Sequence, residues 1–219
     1  MGVDLRHGGN RAASAARLNC QPSQLLDASA SLAPWSPHFS RIPRAAIRDY
    51  PDRDQASMRQ AMAGLHGLDP DAVLPGNGAA ELFTWAASDA AKAGVSALLA
   101  PGFADYRRAL ECWKAPWIDV PLELCWDHAG PLEHPPLPAA VAWICNPHNP
   151  TGQLWSRASL QPLLKRYALV ICDEAFLPLV PNGEQQSLIP LVAEHSNLVV
   201  IRSLTKLYGI AGLRLGYAV

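Results

Sequence analysis

The sequence predicts an α/β fold built on a mostly parallel sheet with helices on both faces. Short, nearly uninterrupted apolar runs recur at Ser96–Ala100, Ala140–Cys145, Ala168–Cys172 and Leu198–Ile201. Strands buried on both faces read in this way. Segments of helical spacing separate them, the alternation that crossover helices impose on a parallel sheet. Of the 219 residues, 49% are hydrophobic and 17% charged, which suffices for a sizeable core and does not fit a disordered chain.

Taken in order, residues 1–50 read as an N-terminal arm. His7-Gly8-Gly9-Asn10 precedes a short helix-like stretch, and a proline-rich segment from Ser31 to Pro43 blocks long regular elements. Residues 51–219 read as one large domain. Met58, Ala61, Met62 and Leu65 fall at helical spacing between Asp54 and His66, and Gly67 closes that helix. A second helix is expected from Ala79 to Lys92. Then follow strand Ser96–Ala100, helix Asp105–Trp113, strand Trp117–Val120 and a proline-rich loop. Strand Ala140–Cys145, helix Ser156–Tyr167, strand Ala168–Cys172, helix Leu188–His195 and strand Leu198–Ile201 complete the alternation.

Charge and cysteine usage exclude several classes of function. A formal net charge of −1 gives no electrostatic case for nucleic acid or an anionic membrane. No apolar run approaches the roughly 18–20 residues that span a bilayer, and Met1–His7 lacks the apolar core of a secretory signal. The five cysteines, Cys20, Cys112, Cys125, Cys145 and Cys172, show no C-x-x-C spacing. That pattern points to a reducing cytoplasm and away from a zinc site.

In parallel sheets ligands bind beyond the carboxyl ends of the strands. Beyond Leu198–Ile201 lies Ser203-Leu204-Thr205-Lys206, followed by Ala211-Gly212-Leu213-Arg214. Partial burial lowers a lysine's pKa, and a neutral amine attacks carbonyls to form a Schiff base. Arg214 offers a planar fork suited to a phosphate, with the Ser203 and Thr205 hydroxyls able to serve the same anion. An amine beside a phosphate-sized anion site is what a pyridoxal 5'-phosphate (PLP) enzyme needs. Alone, the segment equally fits a core strand followed by a snorkelling lysine.

Other strand ends supply further groups. Asp173 follows Leu169–Cys172, where it would be half-buried and need a cationic partner such as a protonated pyridine nitrogen. Asn146-Pro147-His148-Asn149-Pro150-Thr151-Gly152 makes a rigid turn presenting the Asn149 amide. Gly76-Asn77-Gly78-Ala79-Ala80 precedes a helix, whose first N–H groups suit a phosphate. Phe103 stands where it could stack on a flat ring. A dinucleotide fingerprint would need a third glycine, and a P-loop would need G-x-x-x-x-G-K-[ST]; both are missing.

With GNGAAE at 76–81, NPHNPTG at 146–152, DEAF at 173–176, and SLTK before AGLRLG, the chain resembles the fold-type I PLP-dependent enzymes of the class I/II aminotransferase superfamily. The resemblance implies that Lys206 carries the cofactor and shuttles the α-proton. It gives Asp173 to the pyridine nitrogen, Asn149 to the ring's 3-oxygen and to substrate, and Phe103 to the ring face. Ser203, Thr205, Arg214 and the backbone around Gly78, Ala79 and Ala80 would hold the phosphate. Tyr50 resembles a tyrosine that reaches the phosphate from the neighbouring subunit in the histidinol-phosphate aminotransferase branch, which implies a homodimer.

The N-terminus, with His7-Gly8-Gly9-Asn10 and Gln21–Ala30, is similar to the L-threonine O-3-phosphate decarboxylases of cobalamin synthesis. That similarity would give His7 and Gly8 a role in binding a phosphorylated amino acid. Ser31 departs from the pattern, being a serine where an amide is expected. Phe176 fits the decarboxylase branch, many aminotransferases having tyrosine there. Because the sequence stops at Tyr217-Ala218-Val219, within an expected strand, the C-terminal small domain of the family and its substrate-binding arginines are expected to be missing. A histidinol-phosphate-type aminotransferase and a non-catalytic PLP-binding domain are the alternative readings.

Overall fold

The apolar runs do become strands, and where each one ends decides the chemistry. A computed structural model describes residues 10–26, 48–125 and 130–219. In chain order the elements are α1 (Arg11–Leu18), α2 (Ala56–His66), β1 (Leu74–Asn77), α3 (Ala79–Ala93), β2 (Ser96–Ala100), α4 (Asp105–Cys112) and β3 (Trp117–Pro121). They continue with β4 (Val141–Cys145), α5 (Arg157–Leu160), β5 (Leu169–Asp173), β6 (Leu198–Ser203), α6 (Leu204–Tyr208) and β7 (Leu215–Ala218). Among the described residues, no helix is long and apolar enough to cross a membrane.

Helix ends follow ordinary capping chemistry. The Asn10 side chain accepts from Ala13 N at 2.9 Å to open α1, a cap worth about 1 kcal/mol. The Asp52 carboxylate accepts from Ala56 N at 2.9 Å ahead of α2, which Gly67 closes in the left-handed conformation. Two expected helices are corrected. The stretch predicted as Ser156–Tyr167 is α-helical only over Arg157–Leu160, and Gln161–Lys165 tightens to a 3-10 turn. The stretch Leu188–His195 is a 3-10 turn over Ile189–Glu194. Pro162 and Pro190 stand at the start of these turns; proline has no N–H to donate and its ring crowds the preceding turn.

The strands form one sheet in the order β1-β7-β6-β5-β4-β2-β3. Pairs β2–β3, β2–β4, β4–β5 and β5–β6 are parallel, whereas β7 is antiparallel to both β6 and β1. Strand β1 was not legible in the sequence: Leu74-Pro75-Gly76-Asn77 has neither the apolar run nor the alternation of a strand, and its pairing with β7 fixes it. Alternate residues feed two cores. Ala97, Leu99, Ala142, Ile144, Val170, Cys172 and Val200 face one layer with α2 and α5. Leu98, Trp143, Ile171 and Ile201 face another with Leu82, Phe83, Ala86 and Ala90 of α3 and Tyr106, Ala109 and Leu110 of α4.

The register puts one edge of the sheet to use. The ends of β1, β4, β5 and β6 align, with Cys145 opposite Asp173 and Asp173 opposite Ile201. Since β7 runs the other way, its beginning pairs Leu215 with Asn77 and Gly216 with Ser203 at that same edge.

Candidate functional site

Period-two geometry explains why the two adjacent acids Asp173 and Glu174 do different things. Asp173 has the parity of Leu169 and Ile171, so it points to the α3–α4 side, and Glu174 goes to the other. Asp173 is buried, more deeply than the sequence led us to expect, at 5% exposure. Its Oδ2 accepts from the Tyr106 hydroxyl at 2.6 Å and its Oδ1 from Ala175 N at 2.9 Å. Burial raises its pKa to about 6, against the Tyr106 and Ala175 donors that favour the ionised form.

Gly78 and Arg214, which the sequence reading assigns to a phosphate, approach each other closely. Gly78 has φ +78°, and a Cβ built there would lie 2.7 Å from an Nη of Arg214. That φ favours glycine, and a side chain there would push the guanidinium aside. Gly78 is the N-cap of α3 and carries no capping side chain, so no N-cap side chain satisfies the first-turn N–H groups at Ala79 and Ala80. Gly216 closes the same corner, because a Cβ there would meet Ala79 N at 2.9 Å and Arg202 O at 2.9 Å. The Ser203 and Thr205 hydroxyls lie 2.7 Å apart and are buried at the β6–α6 junction. The groups present suit a doubly charged phosphate: a guanidinium fork, two hydroxyls and a helix N-terminus.

Lys206 sits on α6, one turn past Ser203, and its Nζ lies 5.5 Å from the centroid of the Phe176 ring. Phe103 follows β2 and packs edge-on against Tyr106, with centroids 5.4 Å apart at 81°. Asn149 lies half-buried in the loop after β4. That loop is braced by Asn146, whose side chain exchanges hydrogen bonds with the Trp155 backbone at 2.8 and 3.1 Å, and by His148, whose Nδ1 lies 2.9 Å from Thr151 Oγ1. Burial lowers the His148 pKa to about 4, keeping it neutral.

Thus Gly78 and Arg214 are brought into contact, as are Ser203 and Thr205, and Phe103 reaches Asp173 through Tyr106. Tyr50 is not brought in: it is fully exposed on this chain. His7 and Gly8 lie outside the described residues. Tyr106 escaped the sequence reading, though its position three residues after Phe103, in the first turn of α4, places both on one helix-start face. Also missed was the ion pair behind Asp173, where Arg202 Nη2 meets Glu174 at 2.7 Å and Arg202 Nη1 meets Glu184 at 2.8 Å. Nothing in the local sequence of 174–202 marks that partnership.

Residues 43–219 match the family model described as aminotransferase class I and II. The chain is 36% identical to threonine-phosphate decarboxylase of Salmonella typhimurium, over 97% of this chain and 61% of that protein. It is 32% identical to histidinol-phosphate aminotransferase of Brevibacillus brevis, over 78% of this chain and 48% of that protein. Among solved structures it resembles L-threonine-O-3-phosphate decarboxylase from Porphyromonas gingivalis, with a TM-score of 0.65 at 27% identity, covering 80% of this chain and 55% of the other. A histidinol-phosphate aminotransferase from Sinorhizobium meliloti, solved with pyridoxal-5'-phosphate, shares the fold, with a TM-score of 0.70 at 20% identity over 100% of this chain and 62% of the other. The chain therefore spans roughly half to three-fifths of the length of these relatives.

Proposed function

This chain belongs to the aminotransferase class I and II family, and from that premise we propose that it is the large domain of a PLP-dependent enzyme acting on a small phosphorylated amino acid. The reading favoured is decarboxylation of threonine phosphate, as in cobalamin synthesis. The observation that supports it is that Asp173 at the end of β5, the helix after β6 that carries Lys206, and the approach of Gly78 to Arg214 lie at one end of the same sheet.

When bound, PLP supplies an electron-poor ring that takes up the electron pair left at the substrate's α-carbon. This chain's residues do the rest. Arg214, the Ser203 and Thr205 hydroxyls and the N–H groups around Gly78, Ala79 and Ala80 hold the phosphate. Asp173, as a carboxylate, keeps a proton on the pyridine nitrogen. Phe103 covers a ring face, and the Asn149 amide serves the 3-oxygen and the substrate. Lys206 is the amine nucleophile and moves a proton at the α-carbon. With His7 and Gly8 we associate the substrate phosphate.

Whether the Cα–carboxylate or the Cα–H bond of the substrate is broken would decide between decarboxylation and transamination. The 36% identity to a decarboxylase and the phenylalanine at 176 favour the first. A histidinol-phosphate-type aminotransferase is the second reading, supported by the 32% identity to such an enzyme and by Tyr50. A side chain fully exposed on its own chain suits a role across a homodimer interface. We place the protein in the cytoplasm.

The test is absorbance of the purified chain with PLP before and after borohydride, then mass analysis of the Lys206 peptide. A visible band that becomes a reduced adduct on Lys206 is expected. Threonine phosphate should then release carbon dioxide; a keto acid instead would favour the aminotransferase. Cofactor binding without either product would leave a PLP-binding domain that does not turn over, and no adduct on Lys206 would refute the assignment.

A further inference from the structure

The Tyr106 hydroxyl has one well-formed acceptor, Oδ2 of Asp173 at 2.6 Å, and both side chains are enclosed at 5% exposure. Three aromatic neighbours fix its ring. Phe83 and Phe103 meet it edge-on at 5.1 and 5.4 Å, and Trp143 lies tilted at 5.2 Å. Cys145, the thiol beside this pair, donates its own proton to Pro147 O at 3.2 Å. The phenol proton is therefore directed at the carboxylate. A hydrogen bond to a buried charge is stronger than a neutral one and favours the charged form.

We infer that Tyr106 is a positioning residue for the cofactor: its hydroxyl keeps Asp173 ionised and aimed while the aromatic box excludes water from the pair. The inference rests on the reading of Asp173 as partner of the pyridine nitrogen. An isolated aspartate in this setting would take up a proton, and a neutral acid could no longer hold a proton on a ring nitrogen. Among the described residues, the charged or titratable groups that bear on Asp173 include Tyr106 and Asp105 from α4, Cys145 from β4, and its chain neighbours Cys172 and Glu174. Burial and the two acids disfavour its charge while the buried thiols stay neutral, so Tyr106 is the side-chain donor that offsets them.

The experiment uses the full chain with aspartate labelled at the carboxyl carbon, in wild type and Tyr106→Phe, with Asp173→Asn identifying the resonance. Phenylalanine keeps the ring in its box and deletes only the hydroxyl. In the cofactor-free protein the Asp173 carboxyl should titrate at higher pH in Tyr106→Phe than in wild type. PLP affinity, read by fluorescence, should fall roughly tenfold near pH 6 and return toward wild type above about pH 8, where the carboxyl is ionised without help. Replacing the residue with 3-fluorotyrosine, a stronger donor, should move the titration the opposite way, and it serves if Tyr106→Phe does not fold.

Identical Asp173 carboxyl titrations in wild type, Tyr106→Phe and the 3-fluorotyrosine protein would overturn the proposal, as would an affinity loss of the same size at every pH, the mark of mere packing. If Asp173→Asn binds PLP as wild type does, the reading of Asp173 fails, and with it the cofactor role of Tyr106. A carboxyl shift in Tyr106→Phe would in that case support the pairing alone.

Discussion

The Lys206 ammonium lies 5.5 Å from the centre of the Phe176 ring. A cation over a ring face gains about 0.5–2 kcal/mol according to how far it is desolvated. Phe176 is also the position where a tyrosine would add a hydroxyl able to stabilise the deprotonated form of the cofactor–lysine pair. Phe176→Tyr should therefore lower the pH midpoint of the bound cofactor's visible absorbance transition. A wild-type midpoint below that of the variant would show that the ring face, and not the missing hydroxyl, sets the midpoint.

If the proposed phosphate site is right, a substitution at Gly78 should separate phosphate recognition from ring recognition. A methyl group at φ +78° costs about 1–3 kcal/mol in backbone strain, and it would occupy the place of the Arg214 guanidinium, 2.7 Å away. Gly78→Ala should weaken PLP binding by about ten- to a hundredfold and leave the weaker binding of pyridoxal, which lacks the phosphate, nearly unchanged. Fluorescence titration with both compounds measures the difference. Equal losses for the two would mean that the corner is structural only.

These two sites show what was legible in the sequence. Lys206, Asp173 and Gly78 stand next to recognisable strands or a helix start, so local pattern located them. What joins them was not local. Strand β1 contains a proline and a glycine and exists because β7 pairs with it in antiparallel register. That pairing alone brings Arg214 to Gly78 across the sheet edge. Likewise Tyr106 reads as an ordinary amphipathic-helix tyrosine until β5 is laid beside β4, which sets Asp173 under its hydroxyl.

Asp173 should cost stability in the cofactor-free protein. Its folded pKa, about 6, exceeds the ordinary aspartate value of 3.8. Between those values the folded chain holds a proton that the unfolded chain has released, so stability falls as pH rises through that window. The penalty is then constant above it, on the order of 3 kcal/mol. Asp173→Asn should therefore be the more stable protein at neutral pH, with the gap closing below about pH 4. Urea denaturation across this range measures it. A variant less stable than wild type at pH 7 would mean that the Tyr106 and Ala175 hydrogen bonds outweigh burial.

Behind the site, Glu174 is fully buried, and its charge is tolerated because Arg202 Nε donates to Oε2 at 2.9 Å, Ser187 Oγ to Oε2 at 2.8 Å and Leu188 N to Oε1 at 2.7 Å. Burial nevertheless raises the Glu174 pKa, with the Arg202 charge opposing the shift. Arg202→Met removes the cation and leaves the acid, which should destabilise the chain by about 3–5 kcal/mol at neutral pH. The deficit should be pH-dependent. Without Arg202 the folded pKa of Glu174 rises further, so the folded state gains a proton the unfolded state lacks, and stability recovers as pH falls toward the unfolded glutamate value near 4.3. Combining Arg202→Met with Glu174→Gln should recover part of the loss at pH 7, because no buried charge then remains unpaired. A deficit of equal size at every pH, unrelieved in the double variant, would assign the cost to packing around the long Arg202 side chain instead of to its charge.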